Sequence, residues 1–405
     1  MSFRSSVRVP DLCASPFSCL IVGLAGSGLE AKLVNAQEPF WGCSTNSDWF
    51  RVWMAVGSLL PGYVDCMFYN LGLHYDAASK TYRNNPGVTI REIDFGGLAG
   101  IDYMDYSWDG KGMNLTAYYA PLIADLVAAG YVPGRDLRGA PYDWRQPFNA
   151  NNMFERMKSL IETMHRDAGN RPVNIVAHSF GNIQTAMFLN QVVDQDWKDK
   201  YIDNFISVAG PWSGAPQALK ATVSGDNFGF ALPGYSSLID PLKVRKVARN
   251  AGGVVILVPE PEFWKGEVLV QTPHKNYTVN MISQLFKDMG APETDTIYHS
   301  VDRTIEDITA PNVPLHCIYG INQHTEIAYR YTQGFDQQPE IFYTQYGDGV
   351  VPGISLVRCS QFAVQQTQPV ETIEFDLLDH MNVLTDEEVL QYILKISTHV
   401  VPVKR

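Results

Sequence analysis

The residues at 177–181, Ala-His-Ser-Phe-Gly, place a serine between small neighbours, after a β-branched run at 173–177 and before apolar residues at helical spacing. A nucleophilic serine can sit on a sharp strand-to-helix turn when the residues two positions before and after it are small. The pattern therefore predicts a nucleophile elbow at Ser179. A serine that only caps a helix would suit the same position.

The hydroxyl of Ser179 becomes a nucleophile only when a base takes its proton and an acid orients that base. On a fold with such an elbow, the acid and then the histidine follow the serine along the chain. His380 lies between a strand-like stretch at 372–375 and the final helical segment, and Asp348 stands in a Gly-Asp-Gly string. We predict His380 as the base and Asp348 as the acid, although such strings are also common in ordinary turns.

Three other side chains near these positions have alternative interpretations. Asp376 and Asp379 are rival acids, but they lie too close to His380 in sequence to orient it easily. His178 adjoins the nucleophile, and we expect its side chain to point away from the serine and to serve in packing.

Attack on an ester also requires hydrogen-bond donors for the oxyanion. One donor is expected to be the backbone amide of Phe180, and the second to come from the glycine-rich loop at 23–28. A dinucleotide site is a competing interpretation of this loop, but its glycines are wrongly spaced and Glu30 follows too closely. The histidines are scattered and no Cys-x-x-Cys occurs, so we predict neither a metal nor a cofactor.

Apolar periodicity indicates the elements that must position these groups. Strands are predicted at 20–24 and 173–177, and helices over 153–164 and in the last segment, where Thr385 and Glu388 form a capping box. This alternation predicts an α/β fold with a mostly parallel central sheet and right-handed crossovers, the α/β-hydrolase architecture when combined with the elbow.

The chain of 405 residues is 45% hydrophobic and has a formal net charge of −12. The apolar content excludes general disorder, and the acidic balance argues against a nucleic-acid partner, which requires a basic face. Arg4 and Arg8 precede an uncharged stretch at 12–29, a pattern similar to a secretory signal. Because this stretch is short and interrupted by Gly, Ser and Pro, we reject a membrane anchor and favour a core strand within it.

Several strings resemble the lecithin:cholesterol acyltransferase and lysosomal phospholipase A2 family. They are Gly-Leu-Glu-Ala-Lys-Leu at 28–33, Gly-Ala-Pro-Tyr-Asp-Trp-Arg at 139–145, Ala-His-Ser at 177–179, and the contexts of Asp348 and His380. The resemblance runs from about 20 to 394 in family order. It implies the triad Ser179, Asp348 and His380, and the amides of Leu24 and Phe180 as oxyanion donors. Val22 stands where the family usually has proline, which puts substrate fit in doubt more than catalysis.

The resemblance also implies two disulfides. Cys43–Cys66 would close a lid, and Cys317–Cys359 would lie near the acid loop. Four reduced, buried cysteines are the alternative. Cys13 and Cys19 have no family counterpart and stay unassigned.

Aromatic residues crowd the segment at 40–60. Amphipathic aromatic rings, with an apolar body and a polar group that faces water, suit a membrane interface. The resemblance assigns Trp41, Trp49 and Phe50 to a lid that contacts lipid. For Trp53, packing in the core is an equal alternative. We expect adsorption to the membrane surface without a spanning segment.

The resemblance and the patterns together predict a hydrolase core at 20–212 and 310–400, a lid or membrane-binding subdomain at 40–70, and a cap domain at 213–309. We expect the Tyr-Asp-Trp-Arg string at 142–145 to form part of the active-site wall, with direct substrate contact as the alternative.

The predicted activity is that of a serine phospholipase A with transacylase capacity, which passes a fatty-acyl group to water or a lipid alcohol. The alternatives are a phospholipid:sterol O-acyltransferase and a catalytically silent lipid-binding homologue. The expected partners are a lipid substrate and a phospholipid membrane or lipoprotein surface, while the oligomeric state cannot be predicted. Sequons at Asn114 and Asn276 suggest a glycoprotein, secreted or in the lysosomal or endosomal lumen.

Overall fold

The structure is a computed structural model that describes residues 16–60, 62–106, 110–147, 152–226, 239–300 and 308–399. Cys13 and the arginines that begin the signal-like pattern lie outside the described residues.

Within the described residues, the strands are β1 (Phe17–Ile21), β2 (Leu29–Leu33), β3 (Ser47–Trp53), β4 (Leu73–Asp76), β5 (Thr81–Asn84), β6 (Val88–Glu92), β7 (Leu137–Gly139), β8 (Val173–His178), β9 (Ile202–Val208), β10 (Val268–Gln271), β11 (Asn276–Thr278), β12 (Leu315–Ile321), β13 (Thr325–Arg330), β14 (Glu340–Thr344) and β15 (Val370–Asp376).

The α-helices of the same residues are α1 (Tyr63–Asn70), α2 (Ala120–Ala128), α3 (Met153–Asp167), α4 (Phe180–Gln191), α5 (Gln195–Tyr201), α6 (Pro216–Val223), α7 (Pro241–Ala248), α8 (Gly252–Val255), α9 (Ile282–Asp288), α10 (Pro292–Ser300), α11 (Gly353–Leu356) and α12 (Glu387–Thr398). Short 3-10 helices lie at Val56–Leu59, Asn114–Thr116, Val279–Met281, Val357–Val364 and Asn382–Leu384.

The central sheet has the strand order β15-β12-β9-β8-β1-β7, and all its neighbouring strands are parallel. Every residue of β1 and β8 is buried, because helices α3 and α4 pack against these two strands. Parallel strands covered in this way are expected to be continuous apolar runs. The predicted α/β-hydrolase class with a mostly parallel sheet is confirmed.

The first strand and the cap of the last helix differ from the predictions. The first strand begins and ends three residues earlier than predicted, because the chain turns at Gly23 beside the nucleophile. The last helix is capped by Asp386, whose carboxylate accepts hydrogen bonds from the amides of Glu388 and Val389. Thr385 instead ends the preceding 3-10 helix.

Smaller sheets surround the central one. Strands β11-β10-β13-β14 form one of them, so β13 and β14, which come from the segment at 310–400, pair with strands of the segment at 213–309. Strands β3-β2-β6 form another, next to α1. Among the described residues, no helix has the length and apolar character needed to cross a membrane.

Candidate active site

The nucleophile candidate sits between β8 and α4. Ser179 has φ 53° and ψ −126°, a conformation that is costly for a residue with a side chain. Gly181 allows the start of α4 to approach β1, since a Cβ at this glycine would lie 2.5 Å from the carbonyl oxygen of Val22. The backbone thus forms the sharp turn that an exposed serine nucleophile requires.

Ser179 ends a chain of two hydrogen bonds. Its Oγ lies 2.9 Å from Nε2 of His380, and Nδ1 of His380 lies 2.7 Å from Oδ2 of Asp348. Asp348 is fully buried and His380 nearly so. A carboxylate at Nδ1 holds the ring hydrogen there, which leaves Nε2 available to accept the serine proton.

Asp348 is fixed by its own turn. Its Oδ1 accepts hydrogen bonds from the amides of Val350 at 3.0 Å and Val351 at 2.7 Å. The amide of His380 donates to the Asp348 carbonyl at 2.8 Å, so the loops after β14 and β15 are joined through backbone as well as side chain.

The rival carboxylates have other partners. Asp376 accepts a hydrogen bond from the side-chain amide of Asn322 at 2.7 Å. Asp379 accepts from the backbone amides of Met381 at 3.0 Å and Asn382 at 2.8 Å, which closes the turn after His380. Among the described residues, the carboxylate that hydrogen-bonds the His380 ring belongs to Asp348.

The glycine-rich loop after β1 lies against the nucleophile. A Cβ on Gly23 would lie 2.7 Å from Cβ of Ser179, so this position has no room for a side chain. The next residue, Leu24, has a backbone amide that donates no hydrogen bond to any described residue. Phe180 begins α4, where amides of the first turn point out of the helix end. Leu24 thus follows the glycine that contacts Ser179, and Phe180 follows Ser179 itself, while their role as oxyanion donors stays a prediction.

Side chains from distant elements hold this loop. The indole Nε1 of Trp53, at the end of β3, donates to the carbonyl of Ala25 at 2.7 Å. The hydroxyl of Tyr142 donates to the carbonyl of Val22 at 3.0 Å. Trp53 is buried in the core, as one of the two alternatives predicted, and its indole also anchors this loop, which its sequence position does not indicate.

Sequence reasoning missed Tyr118 and the full role of His178. The amide of Gly23 donates to Oη of Tyr118 at 2.8 Å, and this oxygen lies 2.5 Å from Nδ1 of His178. Nε2 of His178 lies 2.9 Å from the carbonyl oxygen of His380. His178 is buried, as a packing role requires, but its ring centroid is only 4.9 Å from that of His380. No sequence pattern distinguishes Tyr118 from the tyrosines around it.

The Tyr-Asp-Trp-Arg string contains a buried ion pair. Nη2 of Arg145 lies 2.7 Å from Oδ2 of Asp143, and Nη1 donates to the carbonyl of Leu71 at 3.1 Å. Arg145 also donates to Oδ1 of Asn84 at 3.0 Å. Burial by itself would raise the pKa of Asp143, but the charge and hydrogen bonds of Arg145 lower it overall. The pair connects the loop after β7 to the ends of α1 and β5.

The cysteines pair as the family resemblance implies. Cys43 is bonded to Cys66 in α1, with 5.5 Å between the Cα atoms, and Cys317 in β12 is bonded to Cys359, with 6.2 Å between the Cα atoms. Cys19 is a free thiol on β1, and burial raises its pKa to about 12.

Four apolar side chains around the first disulfide are exposed, and we call them the apolar rim: Phe40, Trp41, Leu60 and Tyr63. Trp41 is 87% exposed. The ring of Phe40 lies over Gly62, where a Cβ would approach it to 2.7 Å.

Two residues of the predicted lipid-contacting set are not in this rim. The guanidinium of Arg91 lies over the ring of Trp49, 4.0 Å from its centroid. Phe50 packs against the cluster formed by Leu33 and Val88. Both rings are partly buried, and their contact with lipid stays a prediction.

The chain is similar to characterised lipid-modifying proteins. A family model described as lecithin:cholesterol acyltransferase matches residues 49–309. The lysosomal phospholipase A and acyltransferase of Mus musculus is 34% identical over 380 residues, which is 93% of this chain and 89% of that protein. The phosphatidylcholine-sterol acyltransferase of Gallus gallus is 32% identical over 382 residues, with 93% and 89% covered.

A solved structure supports the fold alone. The structure described as the crystal structure of the Tle4–Tli4 complex superimposes with a TM-score of 0.53 at 11% identity, and the match covers 95% of this chain and 99% of that chain.

Proposed function

The chain belongs to the lecithin:cholesterol acyltransferase family, and we propose that Ser179, His380 and Asp348 carry out its acyl transfer. The protein is an enzyme, a serine-type phospholipid acyl hydrolase and acyltransferase. The observation that carries the residue assignment is the continuous hydrogen-bond chain from the Ser179 hydroxyl to the buried Asp348 carboxylate.

In the proposed first step, Oγ of Ser179 attacks the acyl carbonyl carbon while Nε2 of His380 takes the hydroxyl proton. The carboxylate of Asp348 stabilises the resulting imidazolium, and the amides of Leu24 and Phe180 donate hydrogen bonds to the oxyanion. The ester bond to the glycerol oxygen then breaks, and that oxygen leaves with the proton from His380. The products are a lysophospholipid and an acyl ester of Ser179.

In the second step, a water or a lipid alcohol attacks the acyl-enzyme. His380 takes the proton of the attacking hydroxyl, and Ser179 leaves with that proton as the new acid or ester is released. Water and alcohol differ only in what is bound to the attacking oxygen, so one site supports both hydrolysis and transfer. A catalytically silent role has no support in the arrangement of these residues.

For the membrane contact, we propose that the apolar rim rests on a phospholipid membrane. Exposed aromatic side chains bring apolar area together with polar edges, which favours insertion at the headgroup level. A lipoprotein surface presents the same headgroups. Trp53 supports a connection between this surface and catalysis, because it lies on the chain between Trp41 and Leu60 and holds the glycine-rich loop at 23–28, which we call the oxyanion loop.

The location and domain division remain proposals. Disulfides persist in oxidising compartments, and the Mus musculus relative is named as lysosomal, so we propose a secreted or lysosomal or endosomal location. Asn114 and Asn276 are exposed and suit glycosylation.

We propose the division into a core, a lid at 40–70 and a cap at 213–309, with β13 and β14 assigned to the cap sheet.

Product analysis tests the function. The purified protein is incubated with phosphatidylcholine vesicles that contain a long-chain alcohol or a sterol, beside the Ser179→Ala variant. We expect one lysophospholipid for each acyl group found as fatty acid or ester, and a loss of several orders of magnitude for Ser179→Ala. Undiminished release by Ser179→Ala would contradict the proposed nucleophile, and no release by either protein would contradict the proposed activity.

A further inference from the structure

Two buried side chains outside the triad connect its oxyanion loop to its base. The phenol of Tyr118 contacts the amide of Gly23 at one side and Nδ1 of His178 at the other, and Nε2 of His178 contacts the carbonyl of His380. We infer that Tyr118 and His178 are positioning residues, which form a bridge that keeps the oxyanion donors and the catalytic base in one shared geometry.

The chemistry of the groups allows only one direction for these hydrogen bonds. The Gly23 amide must donate, so Oη of Tyr118 accepts from it and gives its own hydrogen to Nδ1 of His178. The hydrogen of the His178 ring then lies on Nε2, where it is donated to the carbonyl of His380. Each donor has an acceptor, and the bridge is satisfied only while His178 is neutral.

Burial supports this neutral state. Burial first, and then the neighbouring His380, lower the pKa of His178 well below its usual value. Burial likewise raises the pKa of the Tyr118 hydroxyl, which keeps its proton. Both groups are therefore uncharged near neutral pH.

The ends of the bridge adjoin the reacting groups. Gly23 immediately precedes Leu24, the proposed oxyanion donor, and the carbonyl at the other end belongs to the residue that carries the base. A Cβ on Gly23 would come within 2.9 Å of the Tyr118 oxygen, so the loop approaches the phenol directly. Loss of the hydroxyl would leave the Gly23 amide and Nδ1 of His178 without their partners.

The position of the bridge indicates how it acts. Tyr118 and His178 are almost fully buried, at 5% and 1% exposure, and their polar atoms face protein groups, so they act through Gly23 and His380. A small displacement of either group misaligns the nucleophile, base and oxyanion donors, and such displacements reduce rates by roughly 10²-fold.

The chain offers a matched control one residue away. Tyr119 is also fully buried and its hydroxyl donates to the carbonyl of Ile21 in β1 at 3.0 Å. Tyr119→Phe removes the same atoms as Tyr118→Phe, also from a hydrogen bond inside the core. It does so without touching the oxyanion loop or His380.

The first experiment compares the two variants on a soluble p-nitrophenyl ester and with a trifluoromethyl ketone, which forms a tetrahedral adduct with a serine. We expect Tyr118→Phe to lower kcat about 10- to 100-fold, to change KM little, and to weaken ketone binding by a similar factor. Tyr119→Phe should leave both values within about threefold. Equal effects of the two variants, or an unchanged kcat in Tyr118→Phe, would overturn the inference.

A double-variant cycle tests whether the two side chains form one unit. His178→Gln retains a donor for the His380 carbonyl but replaces the ring acceptor for Tyr118. If the bridge acts as a unit, the double variant of His178→Gln and Tyr118→Phe should have a kcat only slightly below that of the more impaired single variant. Effects on kcat that multiply would contradict a bridge. If His178→Gln does not fold, the comparison of Tyr118→Phe with Tyr119→Phe still decides the question.

This inference rests on the proposed roles of Ser179 and His380, and the two proposals fail in different ways. Full turnover by Ser179→Ala would contradict the proposed function. If Ser179→Ala loses turnover but the two tyrosine variants behave alike, only the inference about the bridge is contradicted.

Discussion

At the scale of single residues, one buried carboxylate is hydrogen-bonded to the ring of His380, the proposed base. The predicted acid and base lie in hydrogen-bonding contact although they come from loops after different strands. The types of these residues and their order along the chain led to this assignment, because acyl transfer by serine requires that set, and their catalytic role stays a prediction. Tyr118 could not be predicted, since its role depends on two hydrogen-bond partners, the amide of Gly23 and the ring of His178, that only the folded chain brings together.

We expect Asp348→Asn to lower kcat by about 10⁴-fold, because an amide in place of the carboxylate favours the wrong tautomer of His380. Asp376→Asn is the matched control, since that carboxylate contacts Asn322 instead. The measurement is steady-state hydrolysis of a soluble ester. Similar losses in both variants would mean that the acid has been assigned to the wrong aspartate.

At the scale of elements, the segment that leads into β3 and on to α1 joins a surface to the active site. Its exposed side chains form the apolar rim, while its buried Trp53 reaches the oxyanion loop. The sequence shows a concentration of aromatic residues at 40–60, but it does not indicate which of their rings are partly buried by other side chains. Such cover depends on contacts between residues far apart in sequence, for example the guanidinium of Arg91 over the ring of Trp49.

Trp41→Ala should reduce turnover of phospholipid vesicles about tenfold or more and leave turnover of a soluble ester nearly unchanged, since only the first substrate requires adsorption. Val364→Ala is the control, because Val364 is 90% exposed and lies outside the rim. Vesicle sedimentation gives the binding directly. Equal losses of Trp41→Ala on both substrates would argue against a membrane-contacting rim.

Trp53→Phe should behave differently from Trp41→Ala. It keeps a ring in the core but removes the N–H that donates to Ala25. We expect a loss of about tenfold on soluble ester and vesicles alike, because the oxyanion loop serves both substrates. A loss confined to vesicles would show that Trp53 acts in adsorption and does not position the loop.

At the scale of the whole molecule, the buried pair of Asp143 and Arg145 joins the loop after β7, a strand of the central sheet, to α1 and β5. Arg145→Ala should destabilise the fold by about 3–5 kcal/mol, because it leaves a buried carboxylate without its partner. Arg83→Ala is the control, since Arg83 forms an exposed pair with Asp76, and its free energy of unfolding should change little. Chemical denaturation followed by fluorescence measures both.

The same pair gives stability a defined pH dependence. The pKa of Asp143 is lower in the folded state than in the unfolded chain, so the pair stabilises the protein above the unfolded pKa, near 4. This contribution is lost as the pH falls below that value toward the folded pKa. In Arg145→Ala the slope of stability against pH in this acid range should become smaller or reverse. An unchanged slope would assign the acid sensitivity to other groups.

The fold class could be predicted because buried parallel strands and amphipathic helices leave local patterns, as in β8 and α3. The limits of the proposed lid and cap have no such local pattern. Strand β13 pairs with β10, and β14 pairs with β13, so this sheet joins segments on both sides of residue 309 without a local sequence signal there. The acidic net charge argues against a nucleic-acid partner. The class of ester substrate is inferred from the site and the family instead.

The most direct test of the account is to trap the acyl-enzyme. The protein is mixed with phosphatidylcholine vesicles of one defined acyl chain, quenched in acid within milliseconds, digested and analysed by mass spectrometry. We expect the peptide that contains Ser179 to carry the mass of that acyl group, and the modification to be absent in Ser179→Ala. An acyl group on a different residue, or lysophospholipid formation by Ser179→Ala at the rate of the unmodified protein, would contradict the central claim.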